Sequence, residues 1–189
     1  MKTRWTLVPF VAVCVVQLAV PAKMILDHER VLKKGELFLF AAAPVDPYDA
    51  FRGRFVRVDL QAATGTLDDP REVEQGAKVY AVIERDPGSP DGLARITALV
   101  PDRPSTGTYM RVTLELLQDD GDYWLTLPFD RYYMEEELAP EVERAWRENT
   151  RQGETDAWAA VRVLDGRAVL EALYIDGLPV RDYLERGPR

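Results

Sequence analysis

The stretch WAAVRVLDGRAVLEALYI, residues 158–175, contains the clearest folding signal in the chain. Two apolar runs, residues 158–164 and 168–175, flank the dipeptide Asp165-Gly166. An Asp-Gly pair between such runs is typical of a two-residue type I′ turn, which joins adjacent antiparallel strands. We therefore predict a β-hairpin here and expect antiparallel strands to dominate the soluble part of the chain.

Upstream of this hairpin, short runs of strand-forming residues alternate with turns rich in Gly, Pro and Asp. The predicted strands are residues 37–43, 55–60, 79–83, 94–100, 109–117 and 123–127. We expect 79–83, 94–100 and 109–117 to form two adjacent hairpins, and 123–127 to pair back on 109–117. Phe55 is expected to bury its ring against the core.

A single helix is predicted among these strands, beginning near Pro140. Val142, Ala145 and Trp146 follow helical spacing, and Glu143 with Arg147 forms an i,i+4 ion pair. The chain has 189 residues, of which 47% are hydrophobic, so it can bury one core. The predicted class is mainly β (α+β): a compact antiparallel domain whose strands share one sheet system, with one short helix.

The N-terminal segment is apolar from residue 5 to residue 26, a length that suits a helix crossing a bilayer. We predict a cytoplasmic tail at residues 1–4, a single transmembrane helix at 5–26, a connector at 27–36 and an extracytoplasmic β-rich domain at 37–189. A cleaved signal peptide is the alternative, because Lys2 and Arg4 precede the apolar run and Ala22 offers a small-residue cleavage site. Both interpretations place the domain outside the cytoplasm.

The usual catalytic and ligand-binding patterns are missing from the sequence. Cys14 and His28 are the only residues of their types, which disfavours a zinc site, and the serines lie in Pro-rich turns. The 32 acidic and 24 basic residues give a net charge of −8, which disfavours nucleic-acid binding. The acidic turn at residues 119–122 lacks the ligand spacing of a calcium loop. We predict a protein that is not an enzyme and has no cofactor.

One segment does carry a recognisable pattern, APVDPYDAFRGRFVRV at residues 43–58, preceded by Gly35. Together with RYYMEE at 131–136 and the closing hairpin, this layout resembles the GDYXXLXY family of membrane proteins. Gly53 matches the naming motif, whereas Arg54 and Phe55 stand in place of its Asp and Tyr. The resemblance implies a bacterial inner-membrane protein with one spanning helix, of unestablished activity, whose candidate protein partner is a polytopic membrane protein.

The same segment supplies the candidate interaction patch of the sequence. Its members combine turn residues with arginines in an otherwise acidic chain, and they are Asp46, Pro47, Arg52, Gly53, Arg54 and Arg57. A purely structural interpretation competes, because Asp-Pro suits a turn and Gly suits a bulge. As a functional interpretation, the arginines would dock an acidic loop or lipid headgroups.

Three functions stay open at this point. The first is a membrane-anchored accessory subunit that contacts lipid through residues 5–26 and joins an envelope complex. The second is a small-ligand-binding domain that uses Tyr132, Tyr133 and Trp124. The third is a hydrolase that relies on paired carboxylates.

Overall fold

The computed structural model describes residues 3–43, 55–67, 73–89, 92–117, 121–135, 137–150 and 156–186. The helices and strands in chain order are α1 (Thr3–Lys34), β1 (Glu36–Ala43), β2 (Phe55–Arg57), β3 (Asp59–Leu60), β4 (Thr64–Thr66), β5 (Lys78–Arg85), β6 (Ala94–Val100), β7 (Thr108–Leu117), β8 (Asp122–Thr126), β9 (Arg131–Tyr133), α2 (Ala139–Asn149), β10 (Ala157–Leu164), β11 (Arg167–Ile175), β12 (Leu178–Pro179) and α3 (Val180–Arg186). The predicted class, an antiparallel β domain behind an apolar N-terminal helix, is confirmed.

The first sheet is built around the predicted hairpin and has the strand order β12-β11-β10-β1-β3. Strands β10 and β11 pair from Leu164↔Arg167 outward, and the turn residues Asp165 and Gly166 both have positive φ, 52° and 80°. These angles are those that a type I′ turn requires, which explains the Asp-Gly pair. The hairpin prediction is therefore confirmed.

The second sheet has the order β4-β8-β7-β5-β6 and corrects one prediction. Strand β5 pairs with β6 on one side and with β7 on the other, so Tyr80 faces both Val100 and Arg111. The expected hairpin between 94–100 and 109–117 is wrong. Seven residues separate the ends of β6 and β7, and they suffice to cross two strand spacings of about 4.8 Å each. Strand β8 pairs with β7, as predicted.

The strands do not share one sheet system, which is a second correction. Two five-stranded sheets and the β2–β9 ribbon all contribute side chains to one core cluster. Two separate sheets can each bury one face against that core, which a single continuous sheet of this length cannot do. The tip of the β10–β11 hairpin also touches the second sheet, where Arg111 N donates to Gly166 O at 2.9 Å.

The helices of the β domain number two in the part of the chain that the structure describes. Helix α2 buries Val142, Ala145 and Trp146, and Arg147 Nη2 lies 2.7 Å from Glu143 Oε1, as predicted. The short C-terminal helix α3 was not predicted. Phe55 is only partly buried, and the neighbouring Val56 enters the core instead, because residue 56 occupies the inward register of β2.

Helix α1 is longer than the predicted span and continues without interruption to Lys34. Residues 27–34 of the predicted connector are therefore helical, and Gly35 alone separates the helix from β1. A candidate membrane span with a mean hydropathy of 2.0 is found within Pro9–Lys34. No bend interrupts the helical assignment at Pro9 or Pro21.

Candidate functional site

The exposed surface of α1 is the most unusual feature of the molecule. Ten large apolar side chains between residues 9 and 26 are at least 48% exposed, and none of the most apolar window is buried. The set is Phe10, Val11, Val13, Val15, Val16, Leu18, Val20, Met24, Ile25 and Leu26. A helix that is apolar on every side requires a non-aqueous surrounding, either lipid or another protein.

The C-terminal end of α1 is packed tightly onto the first sheet. Val31 is 2% exposed, and Gly35 N donates to Val31 O at 2.8 Å, which closes the helix. A Cβ atom added at Gly35 would lie 2.5 Å from Val31 O and 3.1 Å from both Val163 N and Val163 O. Only glycine fits there, so the helix can pass directly into β1 without a spacer.

Two arginines of the hairpin strengthen this junction. Arg162 Nη1 donates to Gly35 O at 3.1 Å, and Arg162 Nε lies 2.8 Å from Glu171 Oε2. Arg167 Nη1 lies 2.8 Å from Asp27 Oδ2, which Lys23 Nζ also approaches to 2.7 Å. The helix is thus attached to the domain at two levels, two turns apart, and this fixes its direction relative to the sheet.

A groove of about 630 Å³ opens where α1 leaves the domain. One wall is the helix, from Met24 to Val31, and another is the hairpin tip around Arg167. The floor is the outward face of the second sheet, and the side chains that it presents to the groove are Lys78, Arg111, Thr113 and Thr126. Those four alternate along their strands with buried residues, so the fold directs them away from the core.

The charges in this groove are unequally paired. Asp27 is occupied by Lys23 and Arg167, and Asp165 Oδ1 lies 3.7 Å from Arg103 Nη2. Lys78 and Arg111 have no carboxylate within ion-pair distance among the described residues; the Arg111 guanidinium instead lies 5.7 Å from the centre of the Tyr80 ring. The groove therefore holds two exposed cations that are available to an anionic ligand.

A second groove, of about 670 Å³, lies along α1 beside His28 and Leu32. Tyr132 and Tyr133 line it together with Arg131, whose Nε lies 3.4 Å from Asp130 Oδ2. Burial raises the pKa of Tyr132. The pKa of Arg131 is raised as well, mainly by a hydrogen bond with the Tyr133 side chain. Trp124, the third aromatic residue of the predicted ligand site, is 51% exposed on β8 and lines neither groove.

The predicted interaction patch falls almost entirely in residues 44–54, which lie outside the described residues. This applies to Asp46, Pro47, Arg52, Gly53 and Arg54, so their grouping stays a prediction. Arg57 is described: it occupies the end of β2 opposite Arg131 and lies 3.8 Å from Asp59 Oδ2 with a largely exposed side chain.

The acidic residues form no candidate metal site in the part of the chain that the structure describes. No group of three or more His, Cys, Asp or Glu side chains there could hold a metal ion. Asp122 of the acidic turn accepts a hydrogen bond from Thr66 Oγ1 at 2.5 Å. Glu135 pairs with Arg181, and its own backbone amide and this arginine lower the pKa of its carboxyl group.

The sequence patterns did not identify the first groove, because its residues come from three distant parts of the chain. No local motif contains its three cations: Arg111 follows Lys78 by 33 residues, and Arg167 follows Arg111 by 56 residues. Their alternation with buried residues showed that they face outward. The long-range strand order, in which β7 pairs with β5 and not with β6 as predicted, decides that they line one groove.

Comparison with known proteins gives one match. The model of the GDYXXLXY protein family matches residues 17–173, which is most of the chain. No curated protein and no solved structure shows significant similarity. The matched region starts within α1 and extends almost to the end of β11, so it includes Gly35, the whole junction and both grooves. The chain is therefore a member of the GDYXXLXY protein family.

Proposed function

We propose that this protein is a membrane-anchored accessory protein whose β domain lies outside the cytoplasm, and that it serves as a subunit or partner of an envelope membrane complex. The observation that carries the proposal is the exposed apolar surface of α1. Twenty-two residues at 1.5 Å each span about 33 Å, which matches a hydrocarbon core of about 30 Å. Each Val, Leu, Ile or Phe at the centre of such a helix favours insertion by about 0.3–0.6 kcal/mol.

The attachment of α1 to the domain supports an anchor that stays on the mature protein. Cleavage after Ala22 would leave a short helix that begins at Lys23. That helix would keep the ion pair of Asp27 with Arg167 and the buried side chain of Val31. What supports a retained anchor is that the apolar segment and the part of α1 that packs on the domain form one uninterrupted helix. The family match, which starts at residue 17, also includes part of the apolar segment.

A non-catalytic role accounts for the carboxylates. Several of the described acidic side chains are committed to ion pairs with arginine, among them Glu36 with Arg85 and Glu171 with Arg162. Such pairs connect strands and leave the carboxylates poorly placed to act as a general acid and base. The partner would be a polytopic membrane protein, because the helix offers it an apolar surface within the bilayer.

The anchor is tested by measuring the intact mass of the protein purified from membranes. We expect a mass that includes residues 1–22 and resistance to extraction by alkaline carbonate. A mature chain that begins after Ala22 and leaves the membrane in buffer alone would refute the anchor. Alkaline phosphatase fused after residue 189 should be active, because that enzyme folds only outside the cytoplasm.

The partner is tested by placing a photocrosslinking amino acid at Val11, Val15 or Leu18, which share one face of α1, or at Val13, which lies on the opposite face. A subunit should give one defined protein adduct from one face, whereas a helix surrounded only by lipid should give none. A crosslinker at Gly88, in the exposed turn after β5, is the control. The absence of adducts from all four helix positions would contradict the subunit role.

A small-ligand-binding domain is the second candidate, favoured by the groove beside Tyr132 and Tyr133. Tyr133 is 68% exposed although its neighbour is half-buried, so a flat apolar ligand could stack on it without displacing core residues. Native mass spectrometry of the purified protein should then show a bound small molecule that Tyr133→Ala loses. Identical spectra for the two proteins would exclude this groove as the binding site.

A further inference from the structure

We propose that the groove between α1, the hairpin tip and the outward face of the second sheet binds the phosphate headgroup of an anionic phospholipid from the bilayer that holds α1. The proposal rests on the membrane anchor proposed above. It adds a specific lipid site, formed mainly by Lys78 and Arg111, to what would otherwise be a simple anchor.

The position of the groove along the helix agrees with the headgroup layer. If the hydrocarbon core ends near Leu26, the headgroup region beyond it is about 5–8 Å deep on each side of the bilayer. At 1.5 Å per residue, roughly residues 27–31 cross that layer. The helix residues that line the groove are Met24, Asp27, His28 and Val31, so the groove opens at the depth where phosphates lie.

The two cations are arranged so that one phosphate can reach both. In the β5–β7 register Lys78 faces Thr113 and Tyr80 faces Arg111, so Lys78 and Arg111 are diagonal neighbours. Diagonal positions are roughly 7–8 Å apart between strands, within reach of two long side chains. A guanidinium group binds phosphate oxygens in a bidentate manner and an ammonium group adds a point charge.

The remaining groups of the groove suit an anion as well. Thr113 and Thr126 face each other across β7 and β8, and the Thr126 hydroxyl donates to the carboxylate of Glu115, so Thr113 is the residue that brings a hydroxyl donor to the floor. The carboxylate of Asp27 is already neutralised by Lys23 and Arg167, so it does not repel a phosphate as strongly as a free carboxylate would. This local excess of free cations contrasts with the net charge of −8 of the chain.

The test uses the full chain in nanodiscs of phosphatidylcholine mixed with phosphatidylglycerol. Lipids retained on the protein are counted by native mass spectrometry. We expect the wild-type protein to retain phosphatidylglycerol in preference to phosphatidylcholine. The double variant K78Q/R111Q should weaken this preference about fivefold for each cation removed.

Two further variants separate a specific site from general charge. R95Q/R144Q removes two exposed arginines that do not line the groove, and it should keep the wild-type preference. K78R/R111K keeps both charges and should also keep most of the preference for phosphatidylglycerol. Equal retention by wild type and K78Q/R111Q, or equal loss in R95Q/R144Q, would overturn the proposal.

The same samples distinguish failure of the lipid site from failure of the anchor. The intact mass of each protein in the nanodisc shows whether residues 1–22 are present before lipids are counted. An inserted, full-length protein without lipid preference refutes the headgroup site alone. A protein that lacks the helix and does not enter the disc refutes both proposals. Release of phosphatidylglycerol by inorganic phosphate at equal concentration would show that free phosphate, rather than lipid, is the ligand.

Discussion

Gly35 is buried between α1 and β10, and its replacement by alanine should destabilise the protein strongly. The new Cβ would lie 2.5 Å from Val31 O and 3.1 Å from two backbone atoms of Val163. None of these atoms belongs to a flexible side chain, so either the helix end or β10 must move. Overpacking of this kind costs about 1–3 kcal/mol. Loss of the charged hydrogen bond from Arg162 to Gly35 O would add about 1.5–3 kcal/mol.

The assay is thermal unfolding of the full chain in detergent, followed by circular dichroism of the β domain. At about 2–4 °C for each kcal/mol in a domain of this size, G35A should lower Tm by roughly 5–24 °C. G88A is the matched control, because an added Cβ there meets only Asp86 Oδ1 at 3.5 Å. A G35A protein that unfolds at the same temperature as G88A would refute the tight junction between α1 and the sheet.

Three further outcomes follow from individual residues. G166A should destabilise more than G177A, because both positions have positive φ but only Gly166 has a neighbour, the Tyr109 ring at 3.0 Å, in the way of a Cβ; comparison of their Tm values isolates that contact. Trp146 is 1% exposed and its Nε1 has no acceptor in the described part of the chain, so W146F should stay within about 1 kcal/mol of wild type in urea unfolding, whereas W146A should cost about 3–5 kcal/mol. Burial raises the pKa of Tyr132 above 10.0. The stability that the protonated Tyr132 contributes is therefore complete below pH 10.0 and is lost as the pH rises through the folded-state pKa. An ultraviolet titration should show one tyrosine that ionises at higher pH than the others, and this step should be missing in Y132F.

Local signals account for the parts of the fold that the sequence predicted correctly. The Asp165-Gly166 turn and helix α2 depend on residues within a few positions of one another, so a short stretch of sequence is enough to predict each of them. The apolar N-terminal helix could be predicted for the same reason, because its apolar residues are consecutive in the sequence. Gly35 was noted only as a landmark of the family pattern, and its physical reason, the approach of Val163, became visible in the folded structure.

Long-range choices account for the part of the fold that was predicted wrongly. Whether β7 pairs with β6 or crosses to the other edge of β5 depends on the energies of two complete sheets, which no local pattern reports. The same crossing brings Arg111 next to Lys78 and forms the floor of the groove. Lys78 and Arg111 are 33 residues apart and belong to no local motif, so the sequence analysis did not place them together.

In the membrane anchor proposed above, the continuous helix would give the domain a defined orientation at the bilayer. A flexible connector would let the domain sample many angles, so that no particular surface would face the lipid or a membrane partner. Here Gly35 removes the need for a connector, and Asp27 with Arg167 fixes the helix one level further out. With α1 in a bilayer, the faces beside the helix would therefore be held at the bilayer surface, and the two cations of the groove would stay at one depth. A partner that binds this protein within the membrane would meet the β domain in one orientation, which is what an accessory subunit requires.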